Sequence, residues 1–429
     1  MQALSAQPTT APRRRVPFYG LLLANGISGA GNLVEAVALP WFVLELTESA
    51  TAAGLTGAAA VAPSILAGVF GGTLVDRLGY RRSAVVSDLV SGIAVLTVPL
   101  LALSYGIALW QMVLLVFASR LLDSAGRTAR ESITPELAEL AQMPLARANG
   151  LYAAVTRATA LVGAPLGGVL IAVFGAREAL LVNGVSFFIS AALLQFLIPK
   201  VAAQSGETPV ERYFRNLAEG FRFLLGDRVL FAMIVTVLVT NLIEAPTGVA
   251  IIVYGKEIWQ SSVQLGIFLS VFAVGAVGGA LAYGWTAEHI PRRLVFPVGF
   301  GGIALLSAGF AVQLPYGVLL ALVALCGVGA GPVNPLIATV YQERVPAGMR
   351  GRVFGLRSAV AMAAAPLGVL LGGVVIERWG LTVLFGAQGA LLVASIVWML
   401  ASPQFRALAA PQSQPTAGMP SQPNRSPAA

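Results

Sequence analysis

Two glutamates lie in matching five-residue runs of this chain, and apolar sequence surrounds both. Residues Asn32 to Ala36 (NLVEA) recur as Asn241 to Ala245 (NLIEA), 209 positions further along. An ionisable side chain at membrane depth costs about 2.5 to 3.5 kcal/mol on insertion scales, so it is by default a functional candidate. Acids repeated in two halves of a chain are typical of secondary transporters. We therefore expect Glu35 and Glu244 to carry protons.

Polar residues continue from each glutamate at helical spacing and form one stripe on each helix. The first stripe comprises Asn25, Ser28, Asn32 and Glu35, and the second comprises Thr236, Thr240 and Glu244, with Asn241 adjacent. By symmetry, both stripes are predicted to face one cavity between two halves of the protein. The predicted substrate contacts are Asn25, Ser28, Asn32, Thr240 and Asn241.

Three more charged residues, Arg120, Asp123 and Arg157, fall within apolar runs and are further candidates for proton coupling. Arg157 is about 15 Å along a helix from Arg147, at 1.5 Å per residue, so it cannot easily reach water. It needs an acidic partner or a wet cavity. Asp123 and Glu35 are both candidates for that partner, and the sequence does not distinguish them.

The elements that must position these residues are membrane-spanning helices. Charged residues are 11% of the 429, against about 25% in soluble domains, and the mean hydropathy is +0.81. The runs are continuous rather than alternating, so an all-α polytopic fold is predicted and a strand barrel is excluded. Runs of about 20 apolar residues predict twelve spans, near 16–44, 51–75, 84–104, 107–131, 148–174, 178–199, 229–254, 262–286, 293–313, 316–342, 352–376 and 381–402.

The predicted spans form two pseudo-symmetric six-helix bundles. The expected domains are an N-terminal tail at 1–15, a bundle at 16–199, a linker at 200–228, a bundle at 229–402, and a disordered tail at 403–429 rich in Pro, Gln and Ser. Of the 27 Lys and Arg residues, 22 fall in segments on the side of the N-terminus, three on the other side, and two within spans. Both termini are therefore predicted to be cytoplasmic.

The loop between the second and third predicted spans carries a specific motif. Residues 72–82 read GTLVDRLGYRR, in which the defining residues are Asp76, Arg77, Gly79, Arg81 and Arg82. This loop resembles the signature loop of the major facilitator superfamily, although Tyr80 stands where a basic residue is usual. Residues 37–40, 87–89 and 350–355 resemble the branch that contains macrolide-efflux and enterobactin-export proteins.

This resemblance implies export of amphipathic compounds of the drug, macrolide or siderophore type, by proton antiport and alternating access, across a bacterial-type inner membrane. It also implies that Asp76 meets the N-terminal end of the eleventh helix, near Arg350 or Arg352. A carboxylate there gains about 0.3 to 1 kcal/mol from the helix dipole. Arg120 matches the fourth-span arginine of drug exporters of the superfamily, although Ser124 stands where those exporters have glycine.

Other functional classes are not supported by the sequence. The single histidine, His289, cannot form a multi-histidine metal site alone, and no phosphate-binding loop or nucleophile elbow occurs. We expect no enzyme activity and no cofactor. The expected partners are a small-molecule substrate, protons and membrane lipids, without nucleic acid, and the expected state is a monomer. Three alternatives stay open: a passive lipid- or ion-conducting module, a scaffolding module, and a facilitator that imports a small solute.

Overall fold

The computed structural model describes residues 14–199, 219, 221–346, 349–406 and 408, but not the side chains of 65–77, 350–352, 355 and 358. All regular secondary structure in this part of the chain is helical, which confirms the predicted fold class. The first half contains α1 (Val16–Thr47), α2 (Ala50–Leu78), α3 (Tyr80–Ser104), α4 (Leu109–Ser132), α5 (Thr134–Leu140), α6 (Leu145–Phe174) and α7 (Ala176–Leu197).

The second half repeats this series with more interruptions. Its helices are α8 (Arg228–Glu244), α9 (Thr247–Glu257), α10 (Ser262–Thr286), α11 (Arg292–Ala311), α12 (Tyr316–Ala330), α13 (Val333–Arg344), α14 (Arg350–Ala363), α15 (Ala365–Ala401) and α16 (Pro403–Arg406). Within the predicted linker, residues 221–226 are helical. The predicted C-terminal tail begins with α16, in which Phe405 is buried.

Proline or glycine residues divide several long helical segments into two helices each. Pro246 separates α8 from α9, and Pro332 separates α12 from α13, because proline cannot donate a backbone hydrogen bond within a helix. Within α15, Gly380 has φ +82° and ψ 169°, so this element comprises two helices that meet at Gly380. Glycine adopts this left-handed conformation without the steric cost that other residues incur.

Nine helices or helix pairs in the described residues are long and apolar enough to cross a membrane by length and composition. Helix α2 lies outside that set, as does α4, which carries five charged residues. If both of these helices are counted and the helical segment 359–401 is divided at Gly380, the total is the twelve spans expected. Every predicted span coincides with helix, while the count of twelve itself stays a prediction.

The two halves meet where small residues allow helices to approach closely. Helix α2 packs on α15, and α6 packs on α10. A Cβ atom at Gly168 of α6 would collide with the carbonyl oxygen of Ser262, whose own Oγ donates a 2.9 Å hydrogen bond to the Gly168 carbonyl. Gly54 and Gly373 make the equivalent close approach between α2 and α15. These contacts join the halves near one end of the molecule.

Candidate functional site

A cavity of about 550 Å³ lies between the two halves. Helices α1, α4 and α6 provide its polar wall. The second half contributes Gly248, Val249 and Ile252 of α9 and Val369 of α15, which are apolar. Along α1 the lining residues run from Asn25 to Pro40, or roughly 22 Å at 1.5 Å per residue. This central cavity therefore extends deep into the membrane-spanning region.

Glu35 lies on the polar wall and is only 2% exposed. One carboxylate oxygen, Oε1, is 3.1 Å from Nη2 of Arg120 on α4, and the other accepts a 2.5 Å hydrogen bond from Nδ2 of Asn183 on α7. Gly31, one turn earlier on α1, permits this contact, because a Cβ there would collide with Asn183 and Ser186. Glu35 thus connects three helices.

Asn32 extends this arrangement along α1. Its Oδ1 accepts a 3.0 Å hydrogen bond from Nη1 of Arg120, and its Nδ2 donates a 3.2 Å hydrogen bond to Oδ2 of Asp123. The amide therefore bridges a cation and an anion that lie one turn apart on α4.

Arg130 connects Asp123 to a further carboxylate, that of Asp88. Its Nη2 lies 3.4 Å from Oδ1 of Asp123, and its Nη1 lies 2.6 Å from Oδ1 of Asp88 on α3. Ser190 of α7 donates a 2.6 Å hydrogen bond to the other oxygen of Asp88. Pairing offsets the large cost of removing such charges from water. We call the connected set of Glu35, Arg120, Asn32, Asp123, Arg130 and Asp88 the ion network.

The remaining polar residues of the first stripe also line the cavity. Asn25 accepts a 3.1 Å hydrogen bond from Oη of Tyr152 and donates a 3.3 Å hydrogen bond to Oγ1 of Thr156. Ser28 is buried and lines the same wall. The structure therefore brings Asn25, Ser28, Asn32, Glu35, Arg120 and Asp123 together around one space.

The second stripe does not take the equivalent position. Among the described residues, those that line the central cavity do not include Thr240, Asn241 or Glu244. Nδ2 of Asn241 donates a 2.7 Å hydrogen bond to the carbonyl of Ala361, and Oγ1 of Thr240 donates one of 2.9 Å to the carbonyl of Thr236. The physical reason is the break after Glu244: α1 continues past Glu35, whereas α8 ends and α9 presents its own residues to the cavity.

Glu244 differs from Glu35 in its surroundings. Its Oε1 atom is fully buried and has no hydrogen-bond partner within the described part of the chain. Arg157, for which an acidic partner or a wet cavity was expected, is exposed and forms no ion pair among those residues. Arg120 and Arg130 pair with Glu35 and Asp123 instead.

Arg130, Asp88 and Asn183 are the members of the site that sequence reasoning missed. Arg130 falls at the end of the predicted span 107–131 and was counted with the charges on the side of the N-terminus, but its side chain is buried, with 2% exposed. A signal was present in the sequence: the polar residues of α4 follow the same spacing as the stripe on α1, at Arg120, Asp123, Arg127 and Arg130.

The signature loop is only partly described. Gly79 has φ +80° and precedes α3, a conformation that favours glycine. Nη2 of Arg81 donates a 2.5 Å hydrogen bond to the carbonyl of Gln195 near the end of α7, and Arg82 is exposed. The side chains of Asp76, Arg77, Arg350 and Arg352 lie outside the described part of the structure, so their predicted gate contacts stay predictions.

A carboxylate closes the opposite end of the interface between the halves. Oε2 of Glu377 on α15 accepts hydrogen bonds from Oγ of Ser49 at 2.6 Å and from the backbone N–H of Thr51 at 2.8 Å. The first backbone N–H groups of a helix lack partners within it, so Glu377 caps α2 from the other half. No group of three or more His, Cys, Asp or Glu residues in the described ranges could hold a metal ion.

Comparisons with known proteins agree with this architecture. The nucleoside transporter NupG superposes with a TM-score of 0.72 at 12% identity, over 90% of this chain and 98% of its own. A bacterial homologue of the iron transporter ferroportin, in an inward-facing state, superposes with a TM-score of 0.70 at 18% identity, over 92% of this chain and 99% of its own. These likenesses show a shared fold.

Proteins related by sequence are more similar to this chain than these structural neighbours are. The multidrug efflux pump Tap of Mycobacterium tuberculosis is 34% identical over 405 residues, which cover 93% of this chain and 96% of that protein. The macrolide efflux protein A of Streptococcus pyogenes is 20% identical over 383 residues, which cover 88% and 94%. Residues 7–426 match the family described as transmembrane secretion effectors. This chain is therefore a member of the transmembrane secretion effector family of the major facilitator superfamily.

Proposed function

We propose that this protein exports small amphipathic or hydrophobic compounds of the drug, macrolide or siderophore type. The observation that carries the proposal is the central cavity, in which a polar wall from the first half faces an apolar wall from the second. Its volume, about 550 Å³, falls within the range of about 300 to 1,000 Å³ typical of small-molecule sites. Relatives named for multidrug and macrolide efflux support the same substrate class.

The ion network supports proton coupling. It contains three carboxyl groups, of Glu35, Asp123 and Asp88, but only two guanidinium groups, of Arg120 and Arg130. Arg130 contacts both Asp88 and Asp123, so one of these two can carry a proton without leaving an arginine unpaired, whereas Glu35 is the carboxylate that pairs with Arg120. Proton relays in transporters use acids placed in this way, inside a bundle and beside a water-filled cavity.

Glu35 is the member best placed to couple a proton to movement. A proton on its carboxyl group would weaken the ion pair with Arg120, and Arg120 also holds Asn32. Because these residues join α1 to α4, loss of the pair would change how the two helices pack on the cavity side. Substrate and proton would then compete for one wall of the cavity, as antiport requires.

Glu244 is a second candidate, in a different role. A buried carboxylate without a partner is far more costly than the neutral acid, and the Oε1 atom of Glu244 has no such partner among the residues described. It can load a proton without breaking an ion pair. Glu244 would then contribute a proton site in the second half, away from the substrate wall.

Alternating access is the movement that these contacts favour. The glycine contacts between the halves and the Glu377 cap on α2 lie near one end, and the cavity-lining residue Asn25 lies toward the other. We expect the Glu377 contacts to break when the halves rock. The predicted gate of Asp76 with the start of α14 would then form on the side of the termini.

Transport into sealed vesicles tests this function. Purified protein in proteoliposomes with an acidic lumen should accumulate ethidium inside against its gradient, as protons leave. Accumulation should stop when an ionophore abolishes the pH difference. Equilibration without accumulation would contradict antiport and favour a passive or importing facilitator.

A further inference from the structure

A second cavity, of about 300 Å³, lies away from the central cavity, between α8 and the part of α15 that follows Gly380. Its walls consist of Val235, Thr236, Val239, Thr240 and Ile243 on α8, and Leu391, Ala394, Ser395, Trp398 and Met399 on α15. Val239, Leu391 and Trp398 are each about two-fifths to one-half exposed, on the outside of the bundle. We call this cavity the lateral cleft, because it opens toward the membrane.

The walls of the lateral cleft suit a hydrocarbon chain. Oγ1 of Thr236 donates to the carbonyl of Ala232 at 2.8 Å, and Oγ of Ser395 donates to that of Leu391 at 2.8 Å. Thr240 donates to Thr236 in the same way. Since each hydroxyl proton is used within its own helix, the walls present mainly methyl and methylene groups and the indole of Trp398.

The cleft arises from a difference between the two halves. In the first half, Gly31 allows α7 to lie against α1. The position 209 residues later is Thr240, whose side chain lines the cleft. Thr240 thus stands where the first half has the glycine that lets α1 and α7 pack closely.

Two arginines stand at one end of the lateral cleft. Arg228 is the first residue of α8, roughly 10 Å along the helix from Val235. Arg406 follows Phe405, whose ring packs edge-on against Trp398 with centroids 5.8 Å apart and shares a buried cluster with Val229. Both arginines are exposed, and neither is in an ion pair within the described ranges. This end is the predicted cytoplasmic side.

We propose that the lateral cleft holds an acyl chain of an anionic phospholipid, with the lipid phosphate bound by Arg228 and Arg406. The cleft extends roughly 12 Å from Val235 to Ile243, at hydrocarbon depth. Guanidinium groups bind phosphate in a bidentate manner, and basic pockets between helices on the cytoplasmic side are suited to anionic headgroups. This lipid site is separate from the substrate cavity and does not depend on the transport mechanism.

Native mass spectrometry of the full-length protein in detergent tests the headgroup contacts. Phosphatidylglycerol should be retained more tightly than phosphatidylcholine of the same chain length. Arg228→Gln and Arg406→Gln should each weaken retention of phosphatidylglycerol about fivefold, with little effect on phosphatidylcholine. The matched control is Arg147→Gln, an exposed arginine near the start of α6 in the first half of the chain.

A second variant tests the chain site. Ala394→Trp fills the cleft and should reduce retention of both lipids, whereas Ala390→Trp, at an exposed position outside the cleft, should not. Full retention of phosphatidylglycerol by a folded Ala394→Trp protein would overturn the proposal. Equal retention of the two lipids, with no effect of the arginine variants, would also overturn the proposal. That result does not require Ala394→Trp to fold.

Discussion

The guanidinium of Arg120 lies 3.1 Å from the carboxylate of Glu35, and both groups lie in the polar wall of the central cavity. Asn183 donates to the second oxygen of the same carboxylate. One side chain of α1 therefore contacts both α4 and α7. The packing of these helices and the movement of a proton would depend on the same carboxyl group.

Arg120→Met should destabilise the protein by about 3 to 5 kcal/mol, because it leaves Glu35 as a buried charge without its cation. Adding Glu35→Gln to this variant removes that charge and should recover most of the loss. Thermal unfolding of the two single variants and the double variant in detergent measures this coupling. Additive effects of the two substitutions would show that the ion pair contributes nothing to folding.

Gly168→Ala should weaken the contact between the two halves. The added methyl group meets the backbone of α10 at Ser262 and Gly266, and overpacking of this kind costs about 1 to 3 kcal/mol. We expect a lower unfolding temperature and slower transport. Gly284→Ala is the matched control, since a methyl group there meets no atom within 4 Å among those described.

Most of the fold could be predicted because long apolar segments that cross a membrane must satisfy their backbone hydrogen bonds internally and so form helices. The predicted spans coincide with helices, and the repeat that contains Glu35 identified the centre of the polar wall. Asp123 and Arg120 were identified for the same reason, as charges within apolar sequence. Their partners could not be assigned, because pairing depends on the rotation and separation of helices far apart in the chain.

The second polar stripe does not lie at the cavity wall, where the sequence repeat predicted it. Glu244 matches Glu35 in sequence, but Pro246 ends α8 beside it and turns the chain into α9. The cavity wall in that half consists of Val249 and its neighbours instead. Arg130 was missed for a different reason, because it falls at the end of its predicted span, where a long arginine side chain can usually extend its charge into water.

Asp76→Asn should fold and insert normally but lose transport. The amide preserves the shape of the side chain while it removes the charge that would be stabilised at the start of α14. Expression, unfolding temperature and vesicle transport should be measured together. Transport at the wild-type rate by a well-expressed Asp76→Asn protein would contradict the predicted gate.

Glu244→Gln should have a smaller effect on folding than Glu35→Gln, because Glu244 is in no ion pair among the described residues and its buried Oε1 atom has no hydrogen-bond partner there. If it carries a proton, the substitution should reduce pH-driven accumulation and leave downhill exchange of the substrate intact. Counterflow of labelled substrate without a pH gradient separates these two activities. Unchanged accumulation would assign Glu244 to packing alone.

In the proposed mechanism, Glu35 couples a proton to substrate through its ion pair with Arg120. The most direct measurement compares substrate accumulation in acid-loaded proteoliposomes that contain wild-type, Glu35→Gln or Glu257→Gln protein, the last being an exposed acid outside the cavity. We expect wild type and Glu257→Gln to concentrate the substrate. Glu35→Gln should bind and exchange it yet fail to concentrate it, whereas accumulation at the wild-type level by Glu35→Gln would show that Glu35 does not carry the coupled proton.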